Sequence, residues 1–202
     1  MQKGYSGGLK NYLRTPVWTY FSQLTGLPVA RLEAFASAES RLYEQQTRVD
    51  TGTAYWHRFL NAFPNVKVLA SANSEDVMAQ WKGLGYYSRA RNLHAAAKAI
   101  VHDLNGQLPE TAEGWKRLPG IGPYTAAAIA SICHQEAVPV IDGNVQRVLS
   151  RLFNIDQPVD RKSGRVAIEA AADALVSSQN PGISNQAWME LGALVCKPKN
   201  PN

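Results

Sequence analysis

Cysteine is nearly missing from this chain: Cys133 and Cys196 are the only two in 202 residues. Two isolated thiols give no disulfide framework, which excludes the small cross-linked secreted scaffolds and fits a reducing compartment. The first thirty residues hold no continuous apolar run behind a basic start, so neither a signal peptide nor a membrane span is expected. The expectation is a soluble, cytoplasmic protein. No sustained polar/apolar alternation competes with helical spacing, which argues against a sheet. Acidic residues are absent from Trp81 through His102, where Lys82, Arg89, Arg91 and Lys98 all lie. Over the whole chain 21 Lys and Arg stand against 16 Asp and Glu, a net charge of +5. That excess suits a polyanionic partner without identifying one.

What is present describes an ordinary globular protein: 45% apolar and 18% charged residues, enough for one large domain or two small ones sharing a core. Helical periodicity runs from Thr51 onward. Ala90, Leu93, Ala97, Ile100, Val101 and Leu104 form one face of a helix that Asn105-Gly106 ends. Pro109-Glu110-Thr111 restarts the chain, and Trp115 and Leu118 lead into a glycine turn. Ala127, Ile129 and Ile132 line the next helix, with Cys133 read as a buried small hydrophobe. Val145, Val148, Leu149 and Leu152 form a further stripe, and Trp188, Leu191 and Val195 the last. The spacing predicts an all-α fold of two helical lobes.

Three segments carry chemistry. Leu118-Pro119-Gly120-Ile121-Gly122-Pro123-Tyr124-Thr125 is a glycine hairpin opening a helix. Glycine tolerates positive φ and lacks a Cβ, so such a backbone can approach a phosphate oxygen beside a helix N-terminus. A glycine-rich connection between packed helices explains it equally well. Ile141-Asp142-Gly143-Asn144-Val145 puts a carboxylate at a helix start, where Asp is also a favoured N-cap. Trp81-Lys82-Gly83-Leu84-Gly85-Tyr86-Tyr87-Ser88-Arg89-Ala90-Arg91-Asn92 interleaves glycine, aromatics and arginine, suited to stacking on bases and neutralising phosphates. Its bland alternative is a helix start with tyrosines in the core.

Taken together, these segments with Gln45-Gln46-Thr47-Arg48-Val49-Asp50 and Gly192-Ala193-Leu194-Val195-Cys196 closely resemble the helix-hairpin-helix DNA glycosylase superfamily. Within it they resemble the adenine DNA glycosylases of the MutY type, over residues from about Gln45 to Asn202. The resemblance implies a six-helix barrel lobe carrying the hairpin (residues 22–132) and a second lobe from both chain ends (1–21 and 133–202). It implies monofunctional removal of adenine mispaired with guanine or 8-oxoguanine in base excision repair. Relatives that cut the DNA strand place at position 124 a lysine able to form a Schiff base. Tyr124 stands here, which implies base hydrolysis alone. Asp142 would stabilise the sugar cation and Asn144 orient that carboxylate. Gln46, Thr47, Leu84 and Tyr86 match positions around the orphaned guanine or wedged into the stack. Arg89, Gly120, Gly122 and Thr125 would contact the DNA. The partner implied is double-stranded DNA bearing an adenine mispair, bound by a monomer with no membrane involved.

Two departures qualify the match. The family's general acid is a glutamate at the position of Arg41, and a guanidinium does not donate a proton at neutral pH. Glu39 and Glu44 are near but out of register, and the stretch before Gln45 follows the family pattern poorly, Leu27-Pro28-Val29-Ala30-Arg31 resembling a distorted Leu-Pro-Trp-Arg. The family also holds a [4Fe–4S] cluster on four cysteines. Cys196 matches the first ligand, and the sequence stops one residue before the second is expected, so the expectation is that this chain alone holds no cluster. Arg41 and the missing ligands keep a non-catalytic DNA-binding relative in view. A glycosylase for another mismatch, such as G:T, is the further alternative, because sister families share the hairpin and the aspartate.

Overall fold

The computed structural model describes residues 58–201. Every regular element among them is helical. Helical residues 58–62 lead into α1 (Val66–Ser71), α2 (Ser74–Trp81), α3 (Ser88–Asp103), α4 (Ala112–Lys116), α5 (Pro123–Cys133), α6 (Gly143–Leu152), α7 (Lys162–Leu175) and α8 (Pro181–Glu190). A π-helical turn, Leu191–Val195, continues α8, its wider ring closed by Cys196 N–H on Leu191 C=O at 2.8 Å. None of these helices is long and apolar enough to cross a membrane. The described residues fall into two compact units. One holds everything up to Leu108 together with Leu118–Gly120, the other Pro109–Arg117 and the chain from Ile121 onward.

The first unit is built on aromatic packing. Phe59, Phe63, Leu69, Val77, Trp81, Ala90 and Ala97 form one buried cluster. Phe59 meets Phe63 edge-on at 4.9 Å between centroids and Trp81 at 5.8 Å, the geometry that aromatic quadrupoles favour. Local signals start and stop the helices around it. Asn65 caps α1 by accepting from Val68 N–H, and α3 ends as expected, with Asn105 and Gly106 both at positive φ and Gly106 N–H on Ile100 C=O. One detail of the α3 stripe differs. Leu93 is 36% exposed, and the buried face steps through Ala90, His94, Ala97 and Ile100. His94 takes an inward position on α3, beside the backbone of Ala70 and Ala72.

In the second unit α5 is the central element, buried from Ala126 to Ala128 and from Ala130 to Cys133. Small side chains let neighbours approach closely: a Cβ on Gly182 of α8 would lie 2.9 Å from Ile132 Cα. Thr111 caps α4 through Gly114 N–H, and Glu136 accepts from Ala112 N–H at 2.6 Å. Two apolar stripes are shorter than their spacing suggests. Val145, Val148 and Leu149 are buried, but Leu152 is 58% exposed, because α6 ends there and Asn154 turns to positive φ. Leu191 and Val195 are also exposed, while Met189 and Gly192 face inward. The π turn adds a residue to the helical ring and rotates the buried face away from the regular register.

His94 gives the first unit a defined acid sensitivity. Its side chain is 5% exposed; burial chiefly, and then Lys98, hold its imidazole below the ordinary 6.5, against partial opposition from the Ala72 and Ala70 backbone. The unfolded chain therefore takes up a proton before the folded one does. Stability is complete above the ordinary imidazole pKa and declines as pH falls through the window beneath it. Urea midpoints compared at pH 7.5 and pH 5 should drop for the parent chain and drop less for His94→Gln.

Candidate active site

Of the two readings its sequence left open, Asp142 takes up the cap directly, and its carboxylate stays partly accessible. It is the N-cap of α6, with Oδ1 accepting from Val145 N–H at 2.7 Å and its own C=O from Gln146 N–H at 2.9 Å. Oδ2 accepts from the Asn144 amide at 2.9 Å. A carboxylate carries about four acceptor positions, so two hydrogen bonds fix the half-buried group while leaving lone pairs for an incoming cation. The segment before it is fixed as well. Asn185, 2% exposed, accepts from Val140 N–H at 3.0 Å and donates to Val138 C=O at 2.9 Å.

The bracing continues through a residue that the sequence did not single out. Arg147 lies three positions after Asn144 and donates to its Oδ1 at 2.8 Å. The same guanidinium donates to Gly192 C=O at 2.7 Å and to Cys196 C=O at 2.8 Å. With its oxygen taken by Arg147, the Asn144 amide presents its N–H₂ to Asp142, which fixes the orientation of both groups. Gly192 belongs to the same assembly: a Cβ there would lie 2.6 Å from Asn144 Cβ. The only signal in the sequence was the Asn144/Arg147 spacing, one helical turn. Arg151 donates to the Cys196 thiol at 3.2 Å.

Tyr124, in the first turn of α5, is half-buried and donates its hydroxyl to Met189 Sδ at 3.6 Å. The hairpin before it separates two uses of glycine. Gly120 has φ +77°, and a Cβ there would run into the Asn92 side chain, so the turn requires glycine for its own sake. Gly122 has ordinary φ, forms the N-cap of α5 without a side-chain cap, and would find no atom of the described residues within 4 Å of an added Cβ. Its backbone is open to an approaching group. Thr125 is half-buried on the same turn.

In the glycine–aromatic segment, Gly83, Gly85 and Tyr86 have φ of 101°, 70° and 46°. Tyr86 is 64% exposed, and Leu84 and Arg89 are half-buried. Positive φ at a tyrosine is a strained conformation, and here it turns the ring outward rather than into the core. Gln46 and Thr47, with Arg41, Glu39 and Glu44, lie outside the described residues. The cysteines do not fit a four-thiolate cluster: Cys133 is buried within α5 and Cys196 is the one other thiol of the sequence. Among the described residues no three His, Cys, Asp or Glu side chains gather to hold a metal ion.

Gly192→Ala tests the brace. Its methyl has to displace Asn144, an overpacking cost of about 1–3 kcal/mol, and the Asp142–Asn144 hydrogen bond should be lost with it. Thermal unfolding should show the destabilisation, and a crystal structure of the variant should show the Asn144 amide turned from the carboxylate.

Several known proteins share this chain's sequence or fold. It is 45% identical over 171 residues to the adenine DNA glycosylase of Mus musculus, spanning 83% of this chain and 33% of the relative. It is 44% identical to that of Homo sapiens, spanning 83% and 31%, and 39% identical to that of Schizosaccharomyces pombe, spanning 86% and 38%. The chain thus spans about a third of the length of these curated relatives. A thermostable thymine-DNA glycosylase has the same fold at 18% identity, with a TM-score of 0.65 over 95% of this chain and 81% of that one. Endonuclease III in a non-covalent DNA complex matches with a TM-score of 0.57 and 18% identity, over 100% and 79%. The family model for the HhH-GPD superfamily of base excision DNA repair proteins matches residues 40–171, and the chain belongs to that family.

Proposed function

We propose that the chain is the core of a monofunctional DNA glycosylase that removes adenine mispaired with guanine or 8-oxoguanine from double-stranded DNA. The observation that carries this is the Asp142 carboxylate, fixed on one oxygen by Val145 N–H and on the other by the Asn144 amide. Identity of 45% to an adenine DNA glycosylase supports the choice of base. Hydrolysis of the glycosidic bond leaves the electron pair with the departing adenine and builds positive charge on the sugar. A pre-positioned anion stabilises that charge without reorganising. Water then attacks the anomeric carbon and loses a proton. Tyr124 has no amine to form an imine with the sugar, so the strand stays intact. The open backbone at Gly122 and the outward Tyr86 suit a phosphate and a base stack respectively.

The leaving adenine also needs a proton. Arg41, standing where relatives of this type carry a glutamate, favours a second reading in which the chain binds DNA without releasing the base. Single-turnover incubation with a duplex carrying adenine opposite 8-oxoguanine decides between them. The expected result is strand breaks that appear only after alkali and fall at least about a hundredfold in Asp142→Asn. Tight duplex binding with no abasic product would replace the enzyme by the DNA-binding reading. Preferential processing of a competing G:T duplex would overturn the choice of adenine.

A further inference from the structure

We infer that Trp81 and Arg89 are positioning residues that hold Tyr86 in its outward conformation, so that Arg89 acts on DNA through Tyr86 rather than as a phosphate contact. This rests on the proposed glycosylase function for its consequence, and on the geometry of residues 81–89 for its substance.

Trp81 ends α2 and is 4% exposed, its ring packed edge-on against Phe59. From that anchored position its indole N–H donates to the C=O of Gly85 at 3.1 Å. Gly85 is the residue immediately before Tyr86, so the core reaches directly into the peptide that sets the tyrosine's φ. The turn is closed on its other side by Arg89 N–H on Tyr86 C=O at 2.9 Å, and at its base by Leu84 N–H on Trp81 C=O at 3.1 Å. The Arg89 guanidinium then stands over both rings, 5.7 Å from the Trp81 centroid and 5.5 Å from the Tyr86 centroid. A planar cation between a buried and an exposed aromatic ring attracts each by its face. Tyr86 is consequently held from two directions, by its backbone through the indole and by its ring through the guanidinium. A side chain intended to enter a base stack gains from such preorganisation, because less freedom is lost on contact.

The two possible roles of Arg89 predict different responses to lysine. A phosphate contact needs charge, which Arg89→Lys keeps. A ring-spanning clamp needs the planar guanidinium, which it removes. Trp81→Phe keeps an aromatic ring against Phe59 and deletes the donor to Gly85. Amide hydrogen exchange of the DNA-free chain should speed up at Leu84 and Arg89 in both variants, roughly two- to thirtyfold in Arg89→Lys, the range to which loss of a cation–π contact converts, and roughly two- to tenfold in Trp81→Phe, that of a lost hydrogen bond. Protection in α5 to α8 should be unchanged. Unaltered exchange at those amides would overturn the clamp whatever the chain does to DNA. On a duplex carrying 2-aminopurine opposite guanine, Arg89→Lys should weaken the fluorescence rise that reports unstacking, and have no further effect once Tyr86 is alanine. An equal loss with and without Tyr86 would assign Arg89 to the phosphates and overturn the inference. Failure of the parent chain to release adenine from any mispair would count against the proposed function alone, since the exchange measurement decides the clamp independently.

Discussion

The hydrogen bond from Val145 N–H to Asp142 Oδ1, 2.7 Å long, is the interaction on which the site depends. It starts a helix and fixes a carboxylate in one contact. A helix N-terminus leaves its first N–H groups without internal partners, and an aspartate cap satisfies one while placing negative charge at the positive end of the helix dipole. The same contact leaves the anion stationary beside solvent. The structural demand and that of the proposed reaction therefore call for the same side chain in the same rotamer. This is why local sequence could not separate a cap from the carboxylate of the proposed reaction: one rotamer satisfies both demands.

Glycine serves this protein through three different physical mechanisms. At Gly85 and Gly120 it permits positive φ, and at Gly120 the neighbouring Asn92 side chain also leaves no space for a Cβ. At Gly192 the constraint is distance alone, since the π turn lies against Asn144 more closely than any side chain allows. At Gly122 no atom of the described residues claims the space, and the glycine is exposed. Only the first mechanism is a property of the turn. The second depends on a helix more than forty residues away, and the third on whatever approaches the surface.

That difference marks what the sequence made legible. The all-helical fold, the end of α3 at Asn105-Gly106 and the cap at Asp142 are local, written within a few residues, and could be read directly. The buried faces could not be read fully. Spacing placed Leu93, Leu152, Leu191 and Val195 inside, but spacing does not know where a neighbour ends or where a helix widens into a π turn. His94 was missed for the converse reason: spacing by hydrophobicity passes over a polar ring that takes an inward position. Arg147 escaped because its partners Gly192 and Cys196 are 45 and 49 residues away. The motif containing Gly192 and Cys196 was visible, but its bond to the motif containing Asp142 was not.

Those long-range bonds have a consequence for how the site is made. Held by Asp142 alone, the Asn144 amide would be fixed at one atom only. Arg147 supplies the missing constraint, and does so with a guanidinium that also binds the carbonyls of Gly192 and Cys196. The orientation of the carboxylate is thus completed by residues synthesised about fifty positions later. Contacts of such separation form only after the intervening chain has been ordered, because loop closure must precede them. The cap on α6 is a local event, whereas the poised carboxylate belongs to the folded unit as a whole. Partial unfolding of the last helix would free the Asn144 amide and also strip packing from α6, which lies against both α8 and the π turn. In the proposed reaction, the orientation of the Asp142 carboxylate is therefore tied to the integrity of α8 and its π turn.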